Sequence, residues 1–400
     1  MTLLFILFLL ASVSCQFIPD PRQYQASVLV GTRVIILGGY TGKPEYTNET
    51  IVLDLSKSFD ISHPPWSINT KGAAPVNAEF GTACLSPVDN STIYIIGGVA
   101  YKTSLEFVKP SLIYVFNSAG SSWTTLNASG FAPFADNTTN VYNDMQAIMR
   151  HDLIYIFSGT NTLRPIESNL TTNSTLLQTL NILNTKTQAW MIFNFSNTPS
   201  PREGYTATLL KNGYILYIGG TEKFGDASKE TNVNLNNIPI FDTDDLTWTS
   251  MTAVGDTVEP RNSHSAVLTE DGKIIIYGGQ SGYGFVKVSP NLAILDTNSV
   301  PYKWTILTNI STANEAPAMA GHSSILYNHY MIIIFGRKTT NQLEIAYVPS
   351  LNNQLYIFDT KKYAWVTNFT PSSGQRTTSC IIGIVSAIIS VLVANWILLS

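Results

Sequence analysis

Five histidines, His63, His151, His264, His322 and His329, are the first residues of this chain to weigh for chemistry. His264 and His322 stand in the contexts Ser-His-Ser and Gly-His-Ser, on segments patterned as inner strands. Imidazoles in such places read as buried, hydrogen-bonded structural groups. No G-x-S-x-G or H-E-x-x-H occurs, and Cys15, Cys84 and Cys380 offer no pair spaced for zinc. Glu222, Asp226 and Glu230 set carboxylates four residues apart, a pattern that oxygen-liganded divalent ions use. Lys223 and Lys229 balance those acids, which favours an ordinary charged loop. The residues therefore predict no catalytic constellation, no resident metal and no cofactor.

The elements that must position any site are far more legible. An apolar run ending in glycine returns every 57–61 residues: Val34–Gly39, Ile93–Gly98, Ile154–Gly159, Ile215–Gly220, Ile274–Gly279 and Met331–Gly336. A tryptophan follows each, at Trp66, Trp123, Trp190, Trp248, Trp304 and Trp365. A fixed period of this size is the mark of a repeat architecture. In the fifth unit, Pro260-Arg-Asn-Ser-His-Ser-Ala-Val-Leu268 has Ser and Ala positions that suit a tightly packed inner strand, and Asp271-Gly272 signals a hairpin. Lys273–Tyr277 is apolar on both faces, as a strand buried between sheets must be. A loop then leads to strands at Leu292–Asp296 and Lys303–Leu307. One such sheet is apolar on both sides and unstable alone, whereas six arranged radially bury each other's faces. The tryptophans fill the diverging rim between neighbours, and packing is their expected role.

Apolar run, Gly-Gly, an Asp-Thr-like turn and Trp together resemble the kelch repeat. The turn reads Phe241-Asp-Thr at one unit, Leu295-Asp-Thr at the next and Phe358-Asp-Thr at the last; Pro-Arg precedes three units, at Pro21-Arg22, Pro201-Arg202 and Pro260-Arg261. The resemblance covers residues 19–370 and implies an all-β, six-bladed kelch β-propeller of four-stranded antiparallel blades. Its units depart from the pattern at Ser158-Gly159 and Gly336-Arg337. The blades are expected near 20–70, 75–127, 141–195, 200–252, 259–308 and 317–370. First and last units look complete, so no spare strand is expected unless Gln16–Asp20 adds something, and the ring is expected to close by face packing. The galactose oxidase propeller is similar, and that resemblance implies a copper-dependent oxidoreductase as the alternative activity, or another enzyme built on a kelch ring. Its copper site needs two tyrosines, two histidines and a cysteine joined to one tyrosine; Cys84 is the only candidate cysteine here, and no Tyr-His dipeptide occurs. The Glu222-Asp226-Glu230 spacing also resembles the iron site of plant kelch specifier proteins, with Glu230 where they place histidine.

The termini point to export. Residues 1–15 hold an apolar run and small residues before Gln16, as a secretory signal peptide does. Residues 381–400 are an uncharged hydrophobic tail behind a polar spacer, 371–380. That arrangement is a GPI signal or a single transmembrane helix, and either leaves the propeller, 16–370, outside the cell. Sequons at Asn48, Asn90, Asn127, Asn137, Asn169, Asn173, Asn194, Asn309 and Asn368 are expected glycosylation sites. Net charge is −4 with no basic run, so nucleic acid is not an expected partner.

The repeat's extra length falls between the second and third strands, at Tyr40–Thr50, Val99–Ser111, Thr160–Thr179, Thr221–Asn237, Gln280–Pro290 and Arg337–Asn353. Topology puts these loops on one face, where repeat proteins carry their insertions and their ligands. The expected contact residues are Tyr46, Tyr101, Phe107, Arg164, Phe224, Asp226, Tyr283, Phe285, Arg337 and Tyr347. The function this predicts is a cell-surface binding protein for an extracellular protein or glycan, joined to the membrane through its C-terminal anchor.

Overall fold

The computed structural model describes residues 16–43, 48–71, 74–75, 77–103, 106–107, 113–130, 140–163, 173–223, 230–282, 284–308, 310–311, 313–341 and 350–371. Within these, the backbone alone is described at 77–78, 100–103, 106–107, 140–141, 161–163, 173–175, 223 and 230. The expected signal peptide and the hydrophobic tail lie outside the described residues. Among the described residues no helix is long and apolar enough to cross a membrane.

The fold is a six-bladed β-propeller. Blade I is the antiparallel meander Ala26–Val30, Arg33–Leu37, Thr50–Asp54 and Trp66–Ile68. Blade II runs Thr82–Leu85, Thr92–Ile96, Ile113–Asn117 and Ser122–Thr125, and blade III Ala147–Arg150, Leu153–Phe157, Leu180–Asn184 and Ala189–Phe193. Blade IV comprises Thr206–Leu209, Tyr214–Ile218, Asn237–Asp242 and Thr247–Thr252. Blade V has Ser265–Leu268, Lys273–Tyr277, Leu292–Asp296 and Lys303–Thr305, and blade VI Ser323–Tyr327, Tyr330–Ile334, Leu355–Asp359 and Ala364–Val366. Blade V departs from the four-stranded expectation: Val254–Gly255, on the connection from blade IV, adds a short parallel fifth strand beside Lys303–Thr305.

Each boundary between blades has its own apolar core, because successive side chains of a strand point to opposite faces. Val34 and Ile36 of blade I pack against Ile332 and Ile334 of blade VI, while Ile35 and Leu37 pack against Ile93 and Ile95 of blade II. The same division recurs between blades II and III, III and IV, IV and V, and V and VI. All six repeat tryptophans sit against the preceding blade, Trp304 among Leu216, Ile218 and Leu235 and Trp365 among Ile275, Tyr277 and Leu292. This is the packing role expected of them.

The glycine pattern has a steric cause. The second residue of each pair, at 39, 98, 159, 220, 279 and 336, holds φ between 89° and 97°. A Cβ there would lie 2.9 Å from Gln23 O at Gly39, 2.7 Å from Glu203 O at Gly220 and 2.6 Å from His322 Cβ at Gly336. Only glycine fits that position, and all six units keep it. The first position is less uniform: Ser158 and Phe335 occupy it with φ of 55° and 62°, while a Cβ at Gly97 or Gly278 would lie 2.3 Å from Tyr142 O or 2.2 Å from Met319 O. The sixth unit's departure is thus Phe335-Gly336, one residue earlier than the expected Gly336-Arg337.

The ring closes by more than face packing. Asn368–Phe369, past blade VI, pairs with Phe59–Asp60 of blade I, and the Phe59 and Phe369 rings stack 5.0 Å apart. At the other terminus Phe17 packs on the core shared by blades I and VI, and the Gln16 amide donates to Pro64 O at 2.6 Å.

Candidate binding face

The segment leading into each blade folds back on the residue after the glycine pair. The partners are Gln23 with Tyr40, Glu79 with Val99, Asn143 with Thr160, Glu203 with Thr221, Asn262 with Gln280, and Ala320 with Arg337. This pairing brings the lead-in segments and the long loops to one face. Connections from second to third strands there span 12 to 22 residues, against two to six for the first-to-second hairpins on the opposite face. The loops rise as crests, several with ribbons of their own, such as Thr221–Lys223 with Glu230–Asn232 and Gln280–Ser281 with Val286–Lys287.

At the axis the lead-in segments join in a closed ring of backbone hydrogen bonds. Tyr24 N–H donates to Gly321 O (2.8 Å), Gly321 to Ser263 (3.0 Å), Ser263 to Gly204 (2.8 Å), Gly204 to Asp144 (3.2 Å), Asp144 to Phe80 (3.0 Å) and Phe80 to Tyr24 (3.1 Å). All six residues take left-handed φ, between 52° and 64°. One such bond contributes about 1 kcal/mol, less than one buried isoleucine at a blade boundary, so the ring aligns blades that apolar packing holds together. Tyr24 and Phe80 stack 4.0 Å apart over one side of the ring. Burial raises the Tyr24 phenol above its ordinary value.

Around this ring lies a cavity of about 190 Å³ lined by the lead-in segments of all six blades and by the first inner-strand residues of blades I, II, V and VI, among them Ser27, Thr82, Ser265 and Ser323. That volume holds on the order of six waters. A cavity of that size admits only a small group, and anything larger would be confined to its rim and the crests.

Below the crests sit three buried arginines that the sequence reading used only as repeat markers. Arg22, Arg202 and Arg261 are at most 1 % exposed. Arg261 donates to Glu259 O, Gly278 O and Ser289 O at 2.9–3.1 Å, tying the lead-in segment to the glycine turn of its own blade. Burial lowers its pKa to about 10, still far above neutrality. Arg202 instead pairs with Glu222 at 2.9 Å, and Ser200 donates to the same carboxylate. Glu222 is therefore committed to Arg202; Asp226 lies outside the described residues, and Glu230 is described only in backbone. Among the described residues no group of three or more His, Cys, Asp or Glu is placed to hold a metal.

The histidines serve the same scaffold. His264 and His322 occupy equivalent positions, each reaching back to the preceding blade. His264 Nε2 meets Thr206 Oγ1 at 3.1 Å and His322 Nε2 meets Ser265 Oγ at 2.7 Å. Burial holds them neutral, with pKa values lowered to about 3 and about 4. In blade I the equivalent residue is Gln25, whose amide donates to Ser323 Oγ at 2.9 Å. Cys84 lies in the apolar core between blades II and III, where burial pushes its thiol up to about 12. The oxidase ligand set is thus not brought together by these residues.

Of the expected contact residues, Phe285 and Arg337 are described with their side chains. The Arg337 guanidinium lies 3.8 Å over the Phe285 ring, joining the crests of blades V and VI, and Arg337 itself is buried. Lys287 N donates to Thr340 O (2.7 Å) and Thr340 N to Phe285 O (3.0 Å), so these two crests form one unit. Tyr101 and Phe107 are described only as backbone, in strands Val99–Thr103 and Glu106–Phe107. Tyr46, Arg164, Phe224, Asp226, Tyr283 and Tyr347 lie outside the described residues. Asn48, Asn90, Asn127, Asn194 and Asn368 are exposed. Asn173 is described only as backbone, and Asn137, Asn169 and Asn309 lie outside the described residues.

Comparison with known proteins matches the same architecture. The family model of the KLHDC2/KLHL20/DRC7 Kelch-repeats domain matches residues 11–220 and 222–389. Kelch domain-containing protein 3 of Rattus norvegicus is 26% identical over 263 residues, which is 64% of this chain and 64% of that protein's length. Rab9 effector protein with kelch motifs, of Homo sapiens, is 24% identical over 226 residues, 55% of this chain and 53% of the relative. The solved structure of YjhT superposes with a TM-score of 0.58 at 16% identity, covering 86% of this chain and 97% of that one, and shares its fold.

Proposed function

The chain belongs to the KLHDC2/KLHL20/DRC7 Kelch-repeats family, and from that premise we propose that it is a protein-binding propeller displayed at the cell surface. Its partner is gripped by the crests that follow the second strand of each blade. The observation that carries this reading is the asymmetry of the connections, 12 to 22 residues on the crest face against two to six for the first-to-second hairpins opposite. Length and sequence vary between crests while the blades beneath repeat, and loops on a rigid scaffold are where binding specificity is built. The human relative is itself named for a protein partner, Rab9.

Display at the surface rests on the signal-like residues 1–15 and the hydrophobic tail 381–400. The exposed sequons suit passage through the secretory route. The test uses full-length chain on cells and the soluble propeller, residues 16–370, as a binding probe. The probe is expected to bind partner cells and to lose that binding when Phe224, Tyr283 and Phe285 are replaced by alanine. Undiminished binding by a folded triple variant would remove the crest assignment. Loss of binding after glycan removal from the partner cells, with surface proteins intact, would reassign the ligand to a glycan. Intact cells whose full-length chain resists surface biotinylation would remove the display assignment.

A further inference from the structure

The fourth strand of each blade is a sheet edge, and an uncovered edge offers unpaired N–H and C=O groups to another chain. In blades III and V the connection from the preceding blade covers that edge. Ser129 N donates to Gln188 O at 3.0 Å and Trp190 N to Ser129 O at 2.8 Å, in parallel pairing. Val254–Gly255 runs parallel to Lys303–Trp304, Asp256 N donates to Trp304 O at 3.1 Å, and the Asp256 carboxylate accepts Ile306 N–H at 2.7 Å. A glycine lies beside the tryptophan in both blades. A Cβ on Gly130 would stand 2.8 Å from Trp190 O, and one on Gly255 closer still to Trp304 O.

Blade IV is built differently at the same place. Its connection, Phe195-Ser-Asn-Thr-Pro-Ser-Pro201, has no glycine, and its prolines cannot donate to a ladder. The segment turns at Phe195–Thr198 and meets the strand through a side chain, Asn197 Nδ2 donating to Trp248 O at 3.0 Å. The outer strand there, Thr247–Thr252, is the longest of the six and uncharged, with Thr247, Thr249, Ser250 and Thr252 exposed. Opposed residues of an antiparallel pair exchange both hydrogen bonds or neither, and Ser250 faces Pro239, which has no N–H. The Ser250 N–H and carbonyl therefore point outward, and among the described residues neither meets a partner. Between connection and strand opens a cavity of about 300 Å³ lined by Asn197, Pro199, Arg202, Pro239, Trp248 and Ser250. Arg202 is buried, and its Nη1 meets no hydrogen-bond partner among the described residues.

We propose that the outer edge of blade IV is a second binding site, apart from the crest contacts, which takes an extended segment of a partner protein as an added parallel strand carrying glycine followed by an acidic residue. Strand addition supplies affinity through main-chain hydrogen bonds and specificity through the side chains beside them. The pattern is the one that blade V fills from its own chain. Glycine lies against Trp248, where a Cβ has no room. The next N–H takes Trp248 O from the Asn197 amide. The acidic side chain then accepts the Ser250 N–H, as Asp256 accepts that of Ile306, in a cavity whose wall includes the Arg202 guanidinium.

The probe is a capped synthetic peptide of Thr252–Glu259, Thr-Ala-Val-Gly-Asp-Thr-Val-Glu, which carries the strand that blade V accepts. It is titrated into the full-length chain made without glycans, since the Asn194 sequon lies three residues before Asn197. Saturable binding is expected, with amide hydrogen exchange slowed at Trp248–Thr252 and unchanged at Lys303–Thr305. N-methylation of the peptide's aspartate removes the N–H aimed at Trp248 O and is expected to weaken binding by roughly fivefold to tenfold. Ser250→Pro deletes an outward N–H, which an edge strand tolerates, so binding should weaken by a similar factor at an unchanged unfolding midpoint. Asn197→Ala frees Trp248 O and is expected to tighten binding, a readout that stands even where the proline variant does not fold. Absence of saturable binding, equal binding of the N-methylated peptide, or protection confined to blade V would each overturn the proposal. A parent chain that dimerises, with Ser250→Pro monomeric, would overturn the choice of occupant and give the edge to a second copy.

Discussion

The five boundaries at which the chain passes from one blade to the next share their axial hydrogen bonds with the sixth, where blade VI meets blade I, and differ from it at the rim. Gly220 N donates to Arg261 O at 2.9 Å and Gly279 N to Met319 O at 2.8 Å, across internal boundaries; Gly336 N donates to Arg22 O at 2.7 Å across the seam. The hydrogen-bonded hexad likewise runs through the seam unbroken, from Tyr24 to Gly321. What the seam lacks is a covalent connection. An internal boundary that opens stays tethered by a short segment, which keeps the cost of re-forming it small. At the seam that tether is replaced by the Phe369–Phe59 contact, the Gln16–Pro64 bond and the Pro19–Asn353 bond. Alignment of the blades is therefore a repeated property, whereas closure is a local one, made by residues outside the repeat.

The largest effect should come from adding a Cβ at the second glycine. In Gly336→Ala the new atom meets His322 Cβ at 2.6 Å, and in Gly279→Ala it meets Asn262 O at 2.9 Å. Backbone strain at such φ and overpacking each cost about 1–3 kcal/mol, so each variant is expected to lose roughly 3–5 kcal/mol in denaturant unfolding. The two should differ in how they open. Native-state hydrogen exchange in Gly336→Ala is expected to rise first in Ala26–Leu37 and Ser323–Ile334, the strands flanking the seam. In Gly279→Ala it should rise around the whole ring. Even exchange in both variants would show that the seam is no weaker than the tethered boundaries.

Phe369→Ala tests the rim directly. Phe369 is fully buried and touches Phe59, Tyr327 and Tyr330. Truncating a buried phenylalanine costs roughly 3–5 kcal/mol, and the low end is expected where the chain terminus can relax. The denaturation midpoint should fall, with exchange rising at the seam before the internal boundaries. A loss below about 1 kcal/mol would mean that the hexad and the shared core close the ring unaided.

How far this architecture can be read from the residues follows the same division. The apolar runs, the glycines and the tryptophans recur because each answers one steric demand that admits few residue types. The strand expected at Lys273–Tyr277 is found with those ends, as is Leu292–Asp296. The hexad was invisible because its six positions share a conformation and not a residue type: Tyr24, Phe80, Asp144, Gly204, Ser263 and Gly321. The buried arginines were missed because arginine is ordinarily exposed, and nothing local reveals that three carbonyls surround Arg261. The carboxylate spacing did not reveal the partner of Glu222, which is Arg202, twenty residues upstream in a different segment. Crest contacts such as Arg337 over Phe285 join loops of neighbouring blades, and no spacing within one repeat encodes them.

The smallest effect at neutral pH, and the finest test of the comparison, concerns the histidines. His264 and His322 wedge the boundaries between blades IV and V and between V and VI, while Gln25 does so at the seam. In the unfolded chain an imidazole titrates near 6.5, whereas burial lowers His264 to about 3 and His322 to about 4 in the fold. Between those values and 6.5 the unfolded chain binds protons that the native state refuses, so these groups make stability fall as pH drops through that window. His322→Gln, which copies the residue already used at the seam, should leave stability at pH 7 within about 1 kcal/mol. Below pH 6.5 its stability should fall less steeply than the parent's, by up to about 1.4 kcal/mol per pH unit for the one proton removed. Urea midpoints at pH 7, 6, 5 and 4 give the two slopes; parallel curves would mean that His322 is not held neutral. Hydrogen exchange near pH 5 adds the spatial reading. Acid should loosen the boundary between blades V and VI relative to the seam in the parent chain, and His322→Gln should abolish that difference, because the wedge at the seam carries no proton to gain.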